Sequence, residues 1–272
     1  HTHGSSKLYR FGEENPYTTA FFKWWESDLH KTLQELRITG GEPLMSGETW
    51  KLLDWFKANK GKSKTRLAIN SNLGKEVDVD RLLDSIDGLE VDIYTSMEAT
   101  AQQAEYVRDG LDYNVWLVNV QKLLDSDDIR AVHCMATINA LCLDSLPEFI
   151  DFMVMFKYKY GRDFPNFTLN ILRFPSFQSP LVLSDDLRTY YRNRLIQVLE
   201  RYQDRDIFQE HEINHLQRLI DYLDVVKTPH AGAAEQTMLQ QDFKKFYTQY
   251  DQRRGKNFAQ IFPALADWYN TL

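Results

Sequence analysis

The sequence predicts an α/β protein, built on a parallel sheet that closes or half-closes into a barrel. Three observations carry that prediction. Five β-like runs, at 35–39, 65–70, 89–96, 129–139 and 167–174, are separated by helical patterns rather than by hairpin turns. A strand–helix repeat of this kind requires parallel strands joined by crossover helices. Each run also has one apolar face and one mixed face. Finally, 272 residues suit one such domain with a small appendage, since about 250 residues is ordinary for a barrel.

A helix over 18–32 comes first. Its aromatics Phe21, Phe22, Trp24 and Trp25 predict a buried stripe. Barrels normally begin with a strand, whereas this chain opens on the polar segment HTHGSSKLYRFGEENPY. We therefore expect an earlier strand and its loop to belong upstream of His1. Helices are predicted over 47–60, 79–86, 102–124 with a break near Gly110, and 143–160. After Pro175 the character changes, and Ser184 reads as an N-cap. Helices over 185–202, 207–223, 235–251 and 258–268 follow, with a loop at 227–234 marked by Pro229 and Gly232. This divides the chain into a core at 1–175 and a helical extension at 176–272.

Side chains alternate along strands, so the faces can be read directly. Val91, Ile93 and Thr95 oppose Asp92, Tyr94 and Ser96. Val132, Cys134, Ala136 and Ile138 oppose His133, Met135, Thr137 and Asn139. Leu67, Ile69 and Ser71 oppose Arg66, Ala68, Asn70 and Asn72, and Leu169 and Ile171 oppose Thr168, Asn170 and Leu172. The apolar set would pack on helices. The mixed set turns polar toward the strand C-termini, at Asn70, Ser96, Asn139 and Asn170. That pattern suits either a ligand-lined interior, as α/β sites gather at strand C-termini, or a solvent-exposed sheet face.

The formal net charge is −7, with acids and bases mixed. A nucleic-acid surface would show a basic patch instead. No apolar run approaches the roughly 18–20 residues of a membrane span, and HTHGSS lacks the regions of a signal peptide. Cys134 and Cys142 form neither a CxxC pair nor a disulfide framework, so a cytoplasmic setting with free thiols is expected.

The most specific stretch is LRITGGEPLMSGETW. A strand, the turn Gly40-Gly41-Glu42-Pro43 and a helix bring backbone N–H and C=O close to a ligand with no Cβ between. With TRLAINSNLG, VDIYTSMEATAQQAEYVRDGLDY and the C-terminal FKKFYTQYDQRRGKNFAQIFPALADWY, it resembles the radical S-adenosylmethionine enzymes, and among them twitch-domain-containing proteins. The resemblance implies a partial (βα)6-type barrel lacking its first strand. It implies a four-iron four-sulfur cluster that binds S-adenosylmethionine, a radical that abstracts a substrate hydrogen, and an electron donor such as a flavodoxin or ferredoxin. Peptides are among the substrates of the class.

By the same resemblance, Gly40, Gly41, Glu42 and Pro43 hold the methionine amino group. Asn70 and Asn72 border the cofactor, Ser96 and Glu98 lie near its ribose or carboxylate, and Asn139 lies near its adenine or methionine part. Arg108 pairs either with a carboxylate of the ligand or with Glu105 three residues earlier. No CxxxCxxC occurs in the chain. The resemblance places that loop upstream of His1, without which a cluster cannot be held, and residues 176–272 contain no cysteine for an auxiliary cluster.

Two other readings stay open. A barrel without its cluster would be a binding module for a nucleotide-like ligand or partner. The run His211-Glu212-Ile213-Asn214-His215 matches HExxH, the spacing of a zinc peptidase with Glu212 as base and His230 as a conceivable third ligand. His1 and His3 read as a frayed end. The tail aromatics Phe243, Phe246, Tyr247, Tyr250, Phe258, Phe262, Trp268 and Tyr269 follow helical spacing and predict docking contacts.

Overall fold

The computed structural model describes residues 14–161, 165–225 and 233–272. His1, His3, Pro229, His230 and Gly232 lie outside them. Helix α1, Pro16–Trp24, is capped by Asn15, whose side chain accepts from the backbone N–H groups of Tyr17 and Thr18. It runs through a π-helical turn, Trp25–Leu29, into α2, His30–Thr32. The aromatic stripe is buried as expected: Trp25 is sealed against Trp55 and Phe56. Trp24 is the exception and stays exposed.

Strand β1, Glu35–Ile38, is followed by α3, Gly47–Ala58. Next come β2, Arg66–Asn70, α4, Val79–Ile86, and β3, Val91–Thr95. The predicted helix 102–124 is two helices, α5 Ala101–Val107 and α6 Tyr113–Leu124. They separate where Gly110 takes φ +87°, a backbone state that side chains disfavour, and Asp112 caps α6 through its carboxylate. Strand β4, Ile129–Ile138, α7, Leu146–Tyr160, and β5, Asn166–Ile171, complete the sheet layer. Strand β5 stops at Ile171, three residues short of the predicted run 167–174, and Pro175 just beyond that run has no N–H for a ladder.

All neighbouring strands are parallel, in the order β1-β2-β3-β4-β5. Right-handed crossovers between strands laid in sequence put the connecting helices on one side of the sheet. Leu67, Ile69, Val91, Ile93, Val132 and Cys134 are buried on that side, and Trp116 of α6 donates its indole N–H to Thr95 Oγ1 at 3.0 Å. On the other side Arg37, Thr137 and Asn170 are exposed, while Asn70, Tyr94, His133, Met135 and Thr168 are half-buried.

The extension comprises α8, Asp185–Tyr202, α9, Glu210–Leu223, α10, Ala233–Arg254, α11, Phe258–Ile261, and α12, Pro263–Thr271. Ser184 caps α8 as the sequence predicts. The predicted 207–223 helix starts later, because Ile207 and Phe208 are buried ahead of it and Gln209 with Glu212 forms a capping box. The 258–268 helix is split at Pro263. These helices share the core of the sheet layer. Tyr106 of α5 packs edge-on against Phe262 at 5.1 Å and donates its hydroxyl to Asp251 of α10 at 2.7 Å. Tyr191 of α8 reaches Asp144 at 3.2 Å.

The HExxH-like run has a structural task. Strand β5 ends the sheet, and exposed edges invite unwanted pairing. Helix α9 covers this one. Glu212 accepts from the N–H of Phe167 at 3.0 Å, and His215 Nδ1 accepts from the N–H of Leu169 at 2.9 Å. Arg218 donates to the Leu169 carbonyl at 2.6 Å. Positions i, i+3 and i+6 of one helix face thus satisfy one strand edge. Glu212 is wholly buried and salt-bridged to the equally buried Lys157 at 2.9 Å.

Candidate functional site

The C-terminal ends of β1, β2, β3 and β4 converge on one end of the sheet, where the polar mixed faces were expected to meet. Gly40 has φ +147° and Gly41 follows, and nothing lies within 4 Å of where a Cβ would stand on either. Gly40 is a place where only glycine is unstrained. The turn is therefore open toward solvent, with backbone available to a ligand.

Glu42 does not point into that space. Its carboxylate accepts from Leu44 N–H at 3.2 Å within its own turn, and from Asn72 N–H at 2.7 Å in the loop after β2. It is a brace between two loops that positions the turn. Pro43 is buried in the 3-10 turn Pro43–Met45 that follows.

At the end of β2, Asn70 carries an unsatisfied acceptor: its Oδ1 is buried with no hydrogen-bond partner. Buried polar atoms are seldom left so. Asn72 is exposed, and its Oδ1 accepts from Gly74 N–H at 2.7 Å, an Asx turn that shapes the loop. Ser71 accepts from Leu73 N–H at 3.1 Å, which supports Leu73 at φ +51°.

At the end of β3, Ser96 is half-buried and Glu98 is only 3% exposed. Arg108 pairs with Glu98, Nη2 to Oε2 at 2.6 Å. This corrects the Glu105 reading of Arg108, whose partner is Glu98. Glu105 instead accepts from Tyr113 N–H at 3.0 Å. Burial raises the Glu98 carboxyl above the usual glutamate range, against the opposing pull of Arg108 and a backbone hydrogen bond from Thr137. Asn72, Gly74, Ser96, Arg108, Asp109 and Gly110 line a cavity of about 450 Å³. Three of the predicted residues, Asn72, Ser96 and Arg108, therefore meet in one pocket.

Asn139 sits after β4 but is turned to local use. Its Oδ1 accepts from Leu141 N–H at 2.8 Å, Cys142 N–H at 3.2 Å and the Cys142 thiol at 3.2 Å. These bonds fold the chain after β4 into the 3-10 turn Cys142–Asp144. Cys134 and Cys142 are buried free thiols. Burial pushes both far above the ordinary thiol range, aided by the nearby Glu98, so neither is a ready thiolate.

The sequence reading missed a second group on the open face. Asn70, Tyr94, His133 and Asn166 are in register across four strands. Tyr94 stacks on His133 with ring centroids 4.4 Å apart, and the Arg37 guanidinium lies 4.0 Å from the Tyr94 centroid. β1, beyond β2, and β4 lie on opposite sides of β3, so the tyrosine ring stands between cation and imidazole. His133 Nδ1 meets Asn166 Oδ1 at 2.8 Å. The signal was present in the alternation that placed Tyr94 and His133 on the mixed face; only the register could show that they touch.

Among the described residues, no group of three His, Cys, Asp or Glu side chains could hold a metal ion. His211 and His215 have ring centroids 6.3 Å apart, but both carboxylate oxygens of Glu212 are engaged, by Phe167 on one side and by Gln209 and Lys157 on the other. His215 Nδ1 is spent on Leu169. Among the described residues no helix is long and apolar enough to cross a membrane. No family model, curated protein or solved structure matches the chain, so the functional reading rests on this geometry.

Proposed function

We propose that this chain is the S-adenosylmethionine-binding portion of a radical enzyme built on a partial barrel. The observation that supports it best is the convergence at one end of a parallel sheet. An open Gly40-Gly41 turn, the orphan acceptor Asn70 Oδ1 and the cavity lined by Asn72, Ser96 and Arg108 lie on successive strand ends. Sequential strand order is also that of consecutive strands in a (βα) barrel.

These residues fit the cofactor by chemistry. Asn70 offers the acceptor that an ammonium or adenine N–H group requires. The glycine turn offers backbone to the methionine end, and Ser96 a hydroxyl partner for a ribose. Bound and reduced, S-adenosylmethionine supplies a carbon radical able to take a hydrogen atom from a substrate. The work of this chain is to bind, to orient and to exclude water, with Glu42 holding the first two loops at fixed separation. Arg108, neutralised by Glu98, shapes the cavity wall.

The described residues do not fit an iron–sulfur cluster. Two buried thiols on separate elements are too few and too protonated. In this proposal the cluster thiolates lie outside this chain's residues, the electron donor is a flavodoxin or ferredoxin, and the setting is cytoplasmic. Reconstitution of the complete protein with iron and sulfide, followed by assay for 5′-deoxyadenosine, tests the enzyme. Formation of that product supports it; none from reconstituted protein contradicts it.

The burial of both cysteines favours a second reading in one respect, that the barrel binds the nucleoside sulfonium without cleaving it. Binding of S-adenosylmethionine with no 5′-deoxyadenosine from the reconstituted complete protein would select this alternative.

A further inference from the structure

The open face of the sheet carries a cation with no acid to balance it. Arg66 pairs with Glu35, Arg130 with Asp92, and Arg108 with Glu98. Arg37, by contrast, has no carboxylate within salt-bridge distance among the described residues. Its guanidinium is nevertheless placed, with its carbon over the Tyr94 ring at 4.0 Å from the centroid. A stacked guanidinium keeps its in-plane N–H edges free to grip a planar or tetrahedral oxoanion by two parallel hydrogen bonds.

The rest of the column is organised to keep it there. Tyr94 cannot swing away, because His133 stacks on its far face, and His133 is held by Asn166. Ala68, the β2 residue paired with Arg37, is small enough to leave the guanidinium a path to Tyr94. Among the described residues this part of the face stays accessible: Arg37 is exposed, and Tyr94, His133, Met135 and Thr168 are half-buried. Asn70, in register with Tyr94, belongs to the proposed cofactor site. A group seated against Arg37 therefore sits beside that site, on the side of the sheet opposite Trp116 of α6.

We propose that the Arg37–Tyr94–His133 column is a substrate subsite that takes an oxoanion, a carboxylate or phosphate carried by the substrate. As a substrate subsite it rests on the cofactor reading above. Arg37 forms the ion pair, Tyr94 is the platform, and His133 is a neighbour that senses the charge. His133 faces Tyr94, Asp92, Arg130, Arg37 and Asn166. An anion beside Arg37 offsets one of the two positive charges that disfavour imidazolium, so anion binding raises the His133 titration midpoint.

The test is histidine-ring NMR on the full chain, with His133 assigned from a His133→Gln variant. Inorganic phosphate and acetate are the probes, and Arg37→Gln is the comparison. The expected result is a saturable His133 shift with at least one anion, an upward midpoint, and binding about tenfold or more weaker in Arg37→Gln. Saturation by phosphate alone assigns a phosphoryl group; saturation by acetate, alone or with phosphate, assigns a carboxylate. No saturable shift with either anion, or shifts of equal affinity in Arg37→Gln, overturns the subsite.

A parallel titration with S-adenosylmethionine separates the two readings. Anion binding lost in Arg37→Gln with S-adenosylmethionine binding intact supports the subsite as drawn. Loss of both in that variant moves Arg37 into the cofactor site and overturns it. Anion binding without any S-adenosylmethionine binding in the wild-type chain contradicts the cofactor reading and, with it, the role of the anion as substrate, while leaving an anion site at Arg37.

Discussion

Glu42 reaches from the loop after β1 to accept the backbone N–H of Asn72 in the loop after β2, at 2.7 Å. With its second oxygen on Leu44 N–H at 3.2 Å, one carboxylate holds the glycine turn and the asparagine-rich turn in a single frame. Replacing Glu42 by Ala frees both N–H groups. A lost hydrogen bond to a charged group is worth about 1.5–3 kcal/mol, and partial exposure puts the expected loss toward the lower end. Urea denaturation checks this. Glu42→Gln, which retains one acceptor, should lose less than Ala; equal losses would deny the brace.

Gly40 tests the backbone argument. At φ +147° a side chain is strained even though its Cβ would meet nothing, and such strain is worth about 1–3 kcal/mol. Gly40→Ala should therefore lower stability measurably in thermal unfolding. Gly41→Ala, with no positive φ and the same open space, should be close to neutral. The reverse order would contradict the conformation of the turn.

The wholly buried Lys157–Glu212 pair gives a third outcome. Lys157→Met leaves a buried carboxylate uncompensated and should cost about 3–5 kcal/mol. Glu212 also receives the N–H groups of Phe167 and Gln209, so a Lys157→Met, Glu212→Gln double variant should recover part of that loss. Denaturant midpoints of both variants decide it, and a double variant no better than the single would contradict the pairing.

His133 should make stability depend on pH. Burial is the largest cause lowering its midpoint below the ordinary 6.5, with Arg130 and Arg37 acting the same way and Asn166 and Asp92 opposing. The unfolded chain therefore binds the proton first. Between the folded midpoint and 6.5 it holds more protons than the native state, so stability rises with pH and is lost as pH falls through that window. His215 is shifted in the same direction, so the contribution of His133 is read as the difference between wild type and His133→Gln. A difference that does not change across the window would contradict the burial assigned to His133.

Much of this was legible in the sequence because it is local or periodic. Alternation in 129–139 placed His133 and Asn139 on one face and Cys134 on the other, and the strand–helix repeat gave a parallel sheet. Gly110 announced the break between α5 and α6. What was not legible depends on distance in space. Nothing in the spacing of Arg108 distinguishes Glu105, three residues away, from Glu98, ten residues away; only the chain reversal at the end of β3 brings Glu98 into reach. HEINH looked like a metal helix because His211 and His215 lie four apart on one face, whereas Glu212 and His215, three apart, meet the 167 and 169 N–H groups of a strand edge. The Arg37–Tyr94–His133 column joins three strands, and its existence depends on register, which hydrophobic patterning leaves open where a face is polar.

The central claim is that the strand ends around Gly40, Asn70 and Ser96 hold S-adenosylmethionine. The most direct measurement is a calorimetric titration of the full chain with S-adenosylmethionine, set beside an Asn70→Leu variant. We predict saturable one-site binding to the chain and affinity at least about tenfold weaker in the variant, which loses the acceptor Oδ1. No saturable binding, or binding of equal strength in Asn70→Leu, would contradict the account.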